Sequence, residues 1–481
     1  MLINSIKKDN IYHNLYDGKW IISDNTIDIF SPIDGELIGK VPAMLKDDVN
    51  KFLENSKLSQ KHWELTSIDS RANILYKTAK ILEDNIDEIS EILMLEIAKD
   101  KKSSISEVKR TADFIRHTAD TGRNLYGDFI QSDSFPGFSR NKLCLATRVP
   151  LGVVLAISPF NYPINLSASK IAPALMAGNS VLLKPPTQGS ISALYLSKAF
   201  MMAGLPHGVL NTITGKSSSI GDYLVSHENV NFINFTGSTK VGNHIASISN
   251  MIPLMMELGG KDAAIVLKDA DIEKTAKEII SGAFSYSGQR CTAIKRVLVI
   301  EDIANNLVDA LLNELNQLKV GLPQDNCEVT PLIDSNSCDF VMNLIKDALD
   351  KGANLVTGYK RSGNIIYPTL LDNISLDMDL AWEEPFGPVL PIIRVSSKEE
   401  AIRIANKSQY GLQSSIFTQD INDAFNIANK LNVGTVQINS KTERGPDHFP
   451  FSGVKSSGMG TQGIRYSIEA MSRLKSIVIN I

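Results

Sequence analysis

Cysteine is scarce in this chain of 481 residues, with four in all: Cys144, Cys291, Cys327 and Cys338. So few, so far apart, do not make the disulfide framework of a small secreted domain, and they point to a reducing compartment. Histidine is equally thin, seven scattered residues without ligand spacing, so no metal site is predicted. Neither sign of charge dominates. Forty-nine Lys and Arg against 53 Asp and Glu leave a net charge of −4, with no basic footprint for nucleic acid and no polybasic patch for a membrane. No apolar run is long enough to span a bilayer, and the opening Met1 to Lys8 lacks the apolar region and small-residue cleavage site of a secretory signal. A cytoplasmic location is the expectation. Internal repeats and low-complexity stretches are also missing, which excludes solenoid architectures.

What is present is an ordinary globular composition, 43% hydrophobic and 21% charged, in a chain long enough for two or three domains. Residues 152 to 257 alternate strand and helix signals. Gly152–Ile157, Val181–Leu183, Gly208–Ile213 and Asn231–Phe235 read as strands, and Asn165–Ala177 and Ser190–Ala203 as helices closed by Gly178 and Gly204. The rhythm predicts a mostly parallel sheet with helices on both faces, and ligands at the carboxyl ends of its strands. A second α/β pattern follows. Ala264–Leu267, Arg296–Ile300, Ile365–Leu371 and Pro391–Val395 are its strands, and Asp271 caps the helix Ile272–Phe284. The first 120 residues combine a strand-rich entry with long helices such as Ala72–Asp84, and the chain finishes in the apolar run Ile477-Val478-Ile479.

The stretch with most chemistry is Gly288-Gln289-Arg290-Cys291-Thr292. It sets one cysteine just past a helix and beside an arginine, whose cation is expected to favour the thiolate. Some thirty residues upstream, Glu257-Leu258-Gly259-Gly260-Lys261 ends an apolar strand-like run. Glu257 there is either a general base or a strand-end carboxylate pairing with Lys261. Gly237-Ser238-Thr239-Lys240-Val241-Gly242 offers a tight turn and a helix N-terminus that can hold a phosphate, or is a plain strand-to-helix turn.

Together with Ser158-Pro159-Phe160-Asn161-Tyr162-Pro163, Phe235-Thr236-Gly237-Ser238, Glu383-Glu384-Pro385-Phe386-Gly387-Pro388 and Pro450-Phe451-Ser452-Gly453, these segments resemble the aldehyde dehydrogenase superfamily along nearly the whole chain. The resemblance implies a Rossmann-type cofactor domain, an α/β catalytic domain and a β oligomerisation arm. Their expected extents are 1–125 with 148–256, 257–435, and 126–147 with 446–481. It implies Cys291 as nucleophile, Asn161 as oxyanion donor and Glu257 as the base that activates water. For the cofactor it implies Ser158, Pro159, Lys184, Thr187, Gly215, Gly237, Ser238, Gly242, Leu258, Glu384 and Phe386. Glu384 would hold the nicotinamide ribose with Phe386 against the ring, although Glu383-Glu384 also reads as a solvated acidic loop.

In Lys184-Pro185-Pro186-Thr187 the family's NAD-preferring members commonly carry a glutamate where Thr187 stands. Threonine tolerates a 2′-phosphate and Lys184 attracts it, so NADP is expected over NAD. Arg110, Tyr162, Arg290, Thr292 and Arg444 complete the picture. These positions resemble the branch of the family that grips the C3 phosphate of glyceraldehyde 3-phosphate and oxidises it without inorganic phosphate. Forked arginine donors suit such a dianion. Each arginine alone reads as a surface charge, and Asp447-His448 lie close after Arg444. Another aldehyde, such as lactaldehyde or succinate semialdehyde, is the alternative substrate. A non-catalytic module on the same fold is the third reading, and the carboxylate at Glu257 speaks against a CoA-acylating variant. A homotetramer is implied through the segment near 126–147 and the C-terminal run.

Overall fold

The computed structural model describes residues 6–481. Two open sheets organise it. The first runs in the order 210–212, 180–184, 153–157, 232–236, 254–257, all parallel, with Gly458–Met459 added antiparallel at the edge. Its middle strand, Val153–Ile157, is an unbroken apolar run, as a strand covered on both faces requires. The Asn165–Ala177 helix is closed by Gly178 at φ 97°, a left-handed cap that glycine adopts without strain. The sequence places nearly every element of this sheet within two residues.

The chain leaves Val153–Ile157 toward 180–184 on one side and returns to 232–236 on the other. The loops after 153–157 and 232–236 therefore diverge, and a crevice opens between them at a topological switch point. The second sheet has seven strands, with 263–266 between 296–300 and 413–417, and it is parallel except for Asn354–Thr357 at one edge. One expected strand, Ile365–Leu371, is broken into Ile365–Ile366 and Thr369–Asp372. Pro368 between them has no N–H to continue a ladder.

Four helices from the amino-terminal part, between Lys46 and Arg123, cover the first sheet and pack on its crossover helices. A three-stranded arm stands apart, in the order 472–480, 142–150, 128–131. The final strand pairs along its whole length with the chain's own 142–150, from Ser472 opposite Pro150 to Asn480 opposite Lys142. Upstream of it, Val454–Lys455 pairs with Tyr410–Gly411, and the helix Ile464–Ala470 packs on Asn165–Ala177.

Candidate active site

Cys291 follows an abrupt turn. Tyr286, Ser287 and Gly288 are successive left-handed residues, with φ of 51°, 55° and 71°. Two non-glycine residues in that region are strained unless their surroundings hold them. Here Tyr286 Oη donates to the Ile97 carbonyl at 3.0 Å, and Ser287 Oγ to the Thr330 carbonyl at 2.7 Å. The elbow turns the cysteine toward the end of the strand Leu254–Glu257. The Cys291 thiol donates to Glu257 Oε1 at 3.0 Å. Burial, and then the Glu257 carboxylate, push that thiol well above its usual range. The expected thiolate beside Arg290 is therefore corrected. The Arg290 guanidinium turns away to the Gly282 carbonyl and leaves its buried Nε without a hydrogen bond.

Glu257 does not pair with Lys261, whose buried Nζ has no hydrogen-bond partner. Its second oxygen accepts from Arg444 Nη1 at 3.0 Å. Arg444 and Arg110 do come together. Arg110 donates through Nη2 to the Arg444 carbonyl at 2.7 Å, and grips Asp447 through Nε and Nη2 at 2.8 Å each. Burial opposes the charge on both partners, but the bidentate pairing outweighs it: Arg110 is raised and Asp447 held below its ordinary range. Tyr162 lies close enough to act on Arg110's charge, while Arg290 makes its bonds elsewhere. Thr292, buried, contributes its carbonyl to Thr442 Oγ1.

Asn161 is buried, and its Nδ2 donates to the Gln289 carbonyl at 3.0 Å, two residues before the nucleophile. Its loop is pinned from below. Glu107 Oε1 accepts from Ile164 N and Asn165 N at 3.1 Å each, and pairs with Lys99, both side chains being wholly buried. The Lys99 ammonium sits 3.5 Å from the Tyr162 ring centroid.

Asn161 and Cys291 share a cavity of about 590 Å³ with Ser158, Pro159, Lys184, Thr187, Gly237, Ser238, Leu258, Glu384 and Phe386. That volume suits a large cofactor. Gly215 and Gly242 do not line it. A Cβ on Gly242 would meet Leu258 Cδ2 at 2.4 Å and one on Gly215 would meet Ile220 Cδ1 at 2.7 Å, so both serve close packing behind the wall. Glu384 is not a solvated loop residue, for it accepts from Lys295 at 2.9 Å and from Gly260 N at 3.1 Å. Lys184 projects from a strand end with its amine lowered to about 8 by burial.

The helix ends around this cavity are unequal. Glu107 occupies the N-terminus of Asn165–Ala177. Glu96 occupies that of Ser190–Met202, accepting from the backbone N–H of Gly189, Ile191 and Ser192 at 2.8–3.0 Å. The helices Ser217–Val225 and Thr239–Ile248 have no acidic residue in their first turns, and Ser217 and Ser238 at their starts line the cavity. These two ends remain for anionic groups. Two open helix ends, an uncompensated lysine and Thr187 fit a dinucleotide that carries an extra phosphate.

Sequence reasoning missed Lys170, Lys295, Glu96 and the Lys99–Glu107 pair. Lys170 Nζ donates to Thr236 Oγ1 at 2.7 Å in the interior, where burial lowers its amine to about 7 against the pull of Glu257. Charged residues on the buried faces of otherwise amphipathic helices were the available signal for Glu96 and Glu107. Among the described residues no group of three or more His, Cys, Asp or Glu side chains is placed to hold a metal ion, and no helix is long and apolar enough to cross a membrane.

A paired thiol and carboxylate at the end of a dinucleotide-sized cavity define a cysteine-dependent oxidoreductase site. The chain belongs to the aldehyde dehydrogenase family, whose model matches residues 20–477. It is 55% identical over 470 residues, 98% of its length and 99% of the relative's, to an NADP-dependent glyceraldehyde-3-phosphate dehydrogenase of Streptococcus equinus. The crystal structure of the NADP-dependent glyceraldehyde-3-phosphate dehydrogenase from Bacillus halodurans C-125 complexed with NADP superposes with a TM-score of 0.97 at 52% identity, covering 97% of this chain and 99% of that one. A lactaldehyde dehydrogenase of Methanococcus maripaludis is 38% identical over 472 residues, 96% of this chain and 99% of the relative.

Proposed function

We propose that this protein oxidises D-glyceraldehyde 3-phosphate to 3-phosphoglycerate with NADP, without inorganic phosphate. The observation that carries the reading is the thiol–carboxylate pair of Cys291 and Glu257, with Arg110 and Arg444 at its outer side. The similarity to enzymes of that name supports the substrate and the cofactor.

In this mechanism Glu257 takes the thiol proton and Cys291 Sγ attacks the aldehyde carbon, giving a thiohemiacetal oxyanion. Asn161 Nδ2 and the backbone N–H of Cys291 hold that oxyanion. NADP, when bound, supplies the hydride acceptor that turns the thiohemiacetal into a thioester. Glu257 gives the thiol's proton up to solvent and then draws a proton from water; the hydroxide formed displaces Cys291 from the acyl carbon, and the departing sulfur takes that proton back. The cofactor-side residues act by placement: Lys184 and the Ser217 helix end would hold a 2′-phosphate, the Ser238 end a pyrophosphate, Glu384 a ribose, and Phe386 would lie against a ring. Gly215 and Gly242 support these from behind. Arg110, Arg444, Tyr162 and Thr292 would form the outer wall of the substrate site, and Arg290 would reach it only by leaving the Gly282 carbonyl.

NADPH formation from glyceraldehyde 3-phosphate, with no inorganic phosphate added, tests the reading. Activity that falls in Arg444→Leu mainly through a raised KM supports it. Oxidation of unphosphorylated aldehydes alone would keep the family and remove the substrate. That second reading, lactaldehyde or succinate semialdehyde, draws on both arginines already facing carboxylates.

Assembly follows from the arm. Among the described residues its last strand has a neighbour on one side only, and Leu474, Ile477, Val478 and Ile479 are about half exposed. A long apolar edge strand is an aggregation hazard unless it is covered, and a second copy of the chain in a homotetramer covers it. The cofactor domain is then 1–125 with 148–256, the catalytic domain 257–435, and the arm 126–147 with 446–481. The reducing compartment suggested by the cysteines is the cytoplasm.

A further inference from the structure

From Arg110 to Cys291 the outer site is one chain of alternating charge. Arg110 holds Asp447 at 2.8 Å, Asp447 Oδ1 stands 3.8 Å from Arg444 Nε, and Arg444 Nη1 holds Glu257 Oε2 at 3.0 Å. The other oxygen of Glu257 accepts the Cys291 thiol. Glu257 and Arg444 are nearly sealed from solvent, with side chains 2% and 11% exposed, so water screens their attraction little. Both oxygens of the base are thus engaged at rest. Acylation of Sγ removes the thiol donor from Oε1, so in the thioester Arg444 is the partner that still holds the base, and drawing it away leaves the carboxylate its full charge for a proton of water. Arg444 also stacks on Phe451, with its guanidinium carbon 5.0 Å from the ring centroid, and with it lines a separate cavity bounded by Gly445, Pro446 and Phe449.

We infer that Arg444 is a switch that the substrate's own phosphate throws: the phosphate competes with Glu257 for this guanidinium, and its arrival releases the base for hydrolysis of the thioester. The inference rests on the phosphorylated substrate proposed above. A dianion offers Arg444 more charge than the single carboxylate, and the guanidinium meets its oxygens with a fork of two donors. With Arg444 withdrawn, Glu257 Oε2 accepts the proton of a water molecule. The hydroxide oxygen bonds to the thioester carbon, the C–S bond breaks with its electron pair on Sγ, and the proton on Glu257 passes to that sulfur. The raised thiol of Cys291 favours that return. An aldehyde without phosphate still forms the thioester but leaves the base held, so hydrolysis would be tied to the correct substrate.

Supplying the substrate in two pieces tests this. Holoenzyme saturated with NADP and in excess over radiolabelled D-glyceraldehyde forms the thioester, and acid quenching at successive times counts the label still on the protein. With inorganic phosphate present, thioester decay in wild type is expected to quicken about 5- to 150-fold, the range of ordinary coupling between two sites. Arg444→Met is expected to decay faster than unactivated wild type and to ignore phosphate, and Arg444→Lys to fall between. An unchanged wild-type rate with phosphate overturns the switch, as does an Arg444→Met thioester slower than that of unactivated wild type. If Arg444→Met does not fold, the wild-type phosphate response and Arg444→Lys still decide. Turnover of glyceraldehyde 3-phosphate by the same preparation separates the two ideas. Turnover without a phosphate response sinks the switch alone, and no turnover sinks the substrate.

Discussion

The two halves of the site are built on opposite electrostatic plans. The cofactor cavity is largely apolar, with one lysine and two helix ends free of carboxylates in their first turns. The outer half is dense with charge, and each charge there already has a partner: Arg110 with Asp447, Arg444 with Glu257, and Glu257 with the thiol. The first half is ready to receive an anion as it stands. The second must exchange partners before it can act. Preorganisation governs binding on one side, and competition between ion pairs governs chemistry on the other.

The comparison can be broken at four places. Cys291→Ala removes the atom that both halves serve, and NADPH formation is expected to fall about 10⁴- to 10⁶-fold, as when other enzymes lose a nucleophile, with NADP binding retained in a titration. Glu257→Gln leaves the thiol but no base for either its activation or hydrolysis, so turnover is expected to drop about 10²- to 10⁴-fold in an assay of NADPH formation. Glu107→Ala strands Lys99 in the interior. Breaking a buried pair in this way is expected to cost about 3–5 kcal/mol of stability in a urea melt, and the double variant Lys99→Met/Glu107→Met should recover part of it. The smallest effect sharpens the cofactor side. The Lys184 amine titrates near 8 in the free protein, and only its protonated form attracts a 2′-phosphate. NADP affinity should therefore fall as pH rises through about 8, approaching tenfold per unit, while NAD affinity and the Lys184→Met variant should show no such slope.

Legibility in the sequence followed the same division. The parallel sheet, the helix closed by Gly178 and the cap at Asp271 are local signals within short windows, and they sit where the periodicity places them. Cys291, Glu257 and Asn161 announce themselves through segments whose residue types leave little choice. Arg110 and Asp447 lie 337 positions apart, and their pairing is a product of the fold alone. Arg290 misled because adjacency along a chain is not adjacency in space; its guanidinium turns away to the Gly282 carbonyl. Gly215 and Gly242, expected at the cofactor, do not line the cavity, and their absent Cβ atoms make room for Ile220 and Leu258 instead.

The two buried glutamates at helix starts have a further meaning. Every helix leaves unsatisfied N–H groups at its beginning and a partial positive charge with them. Around this crevice four helices begin, and the chain stoppers two of them with its own Glu96 and Glu107. The N–H groups at each stoppered end are already taken, so an incoming anion finds no free donors there. A polyanion that enters backwards or one strand out of place meets a closed door, and orientation is selected by subtraction. The fold tells its ligand where to lie chiefly by marking the places it cannot.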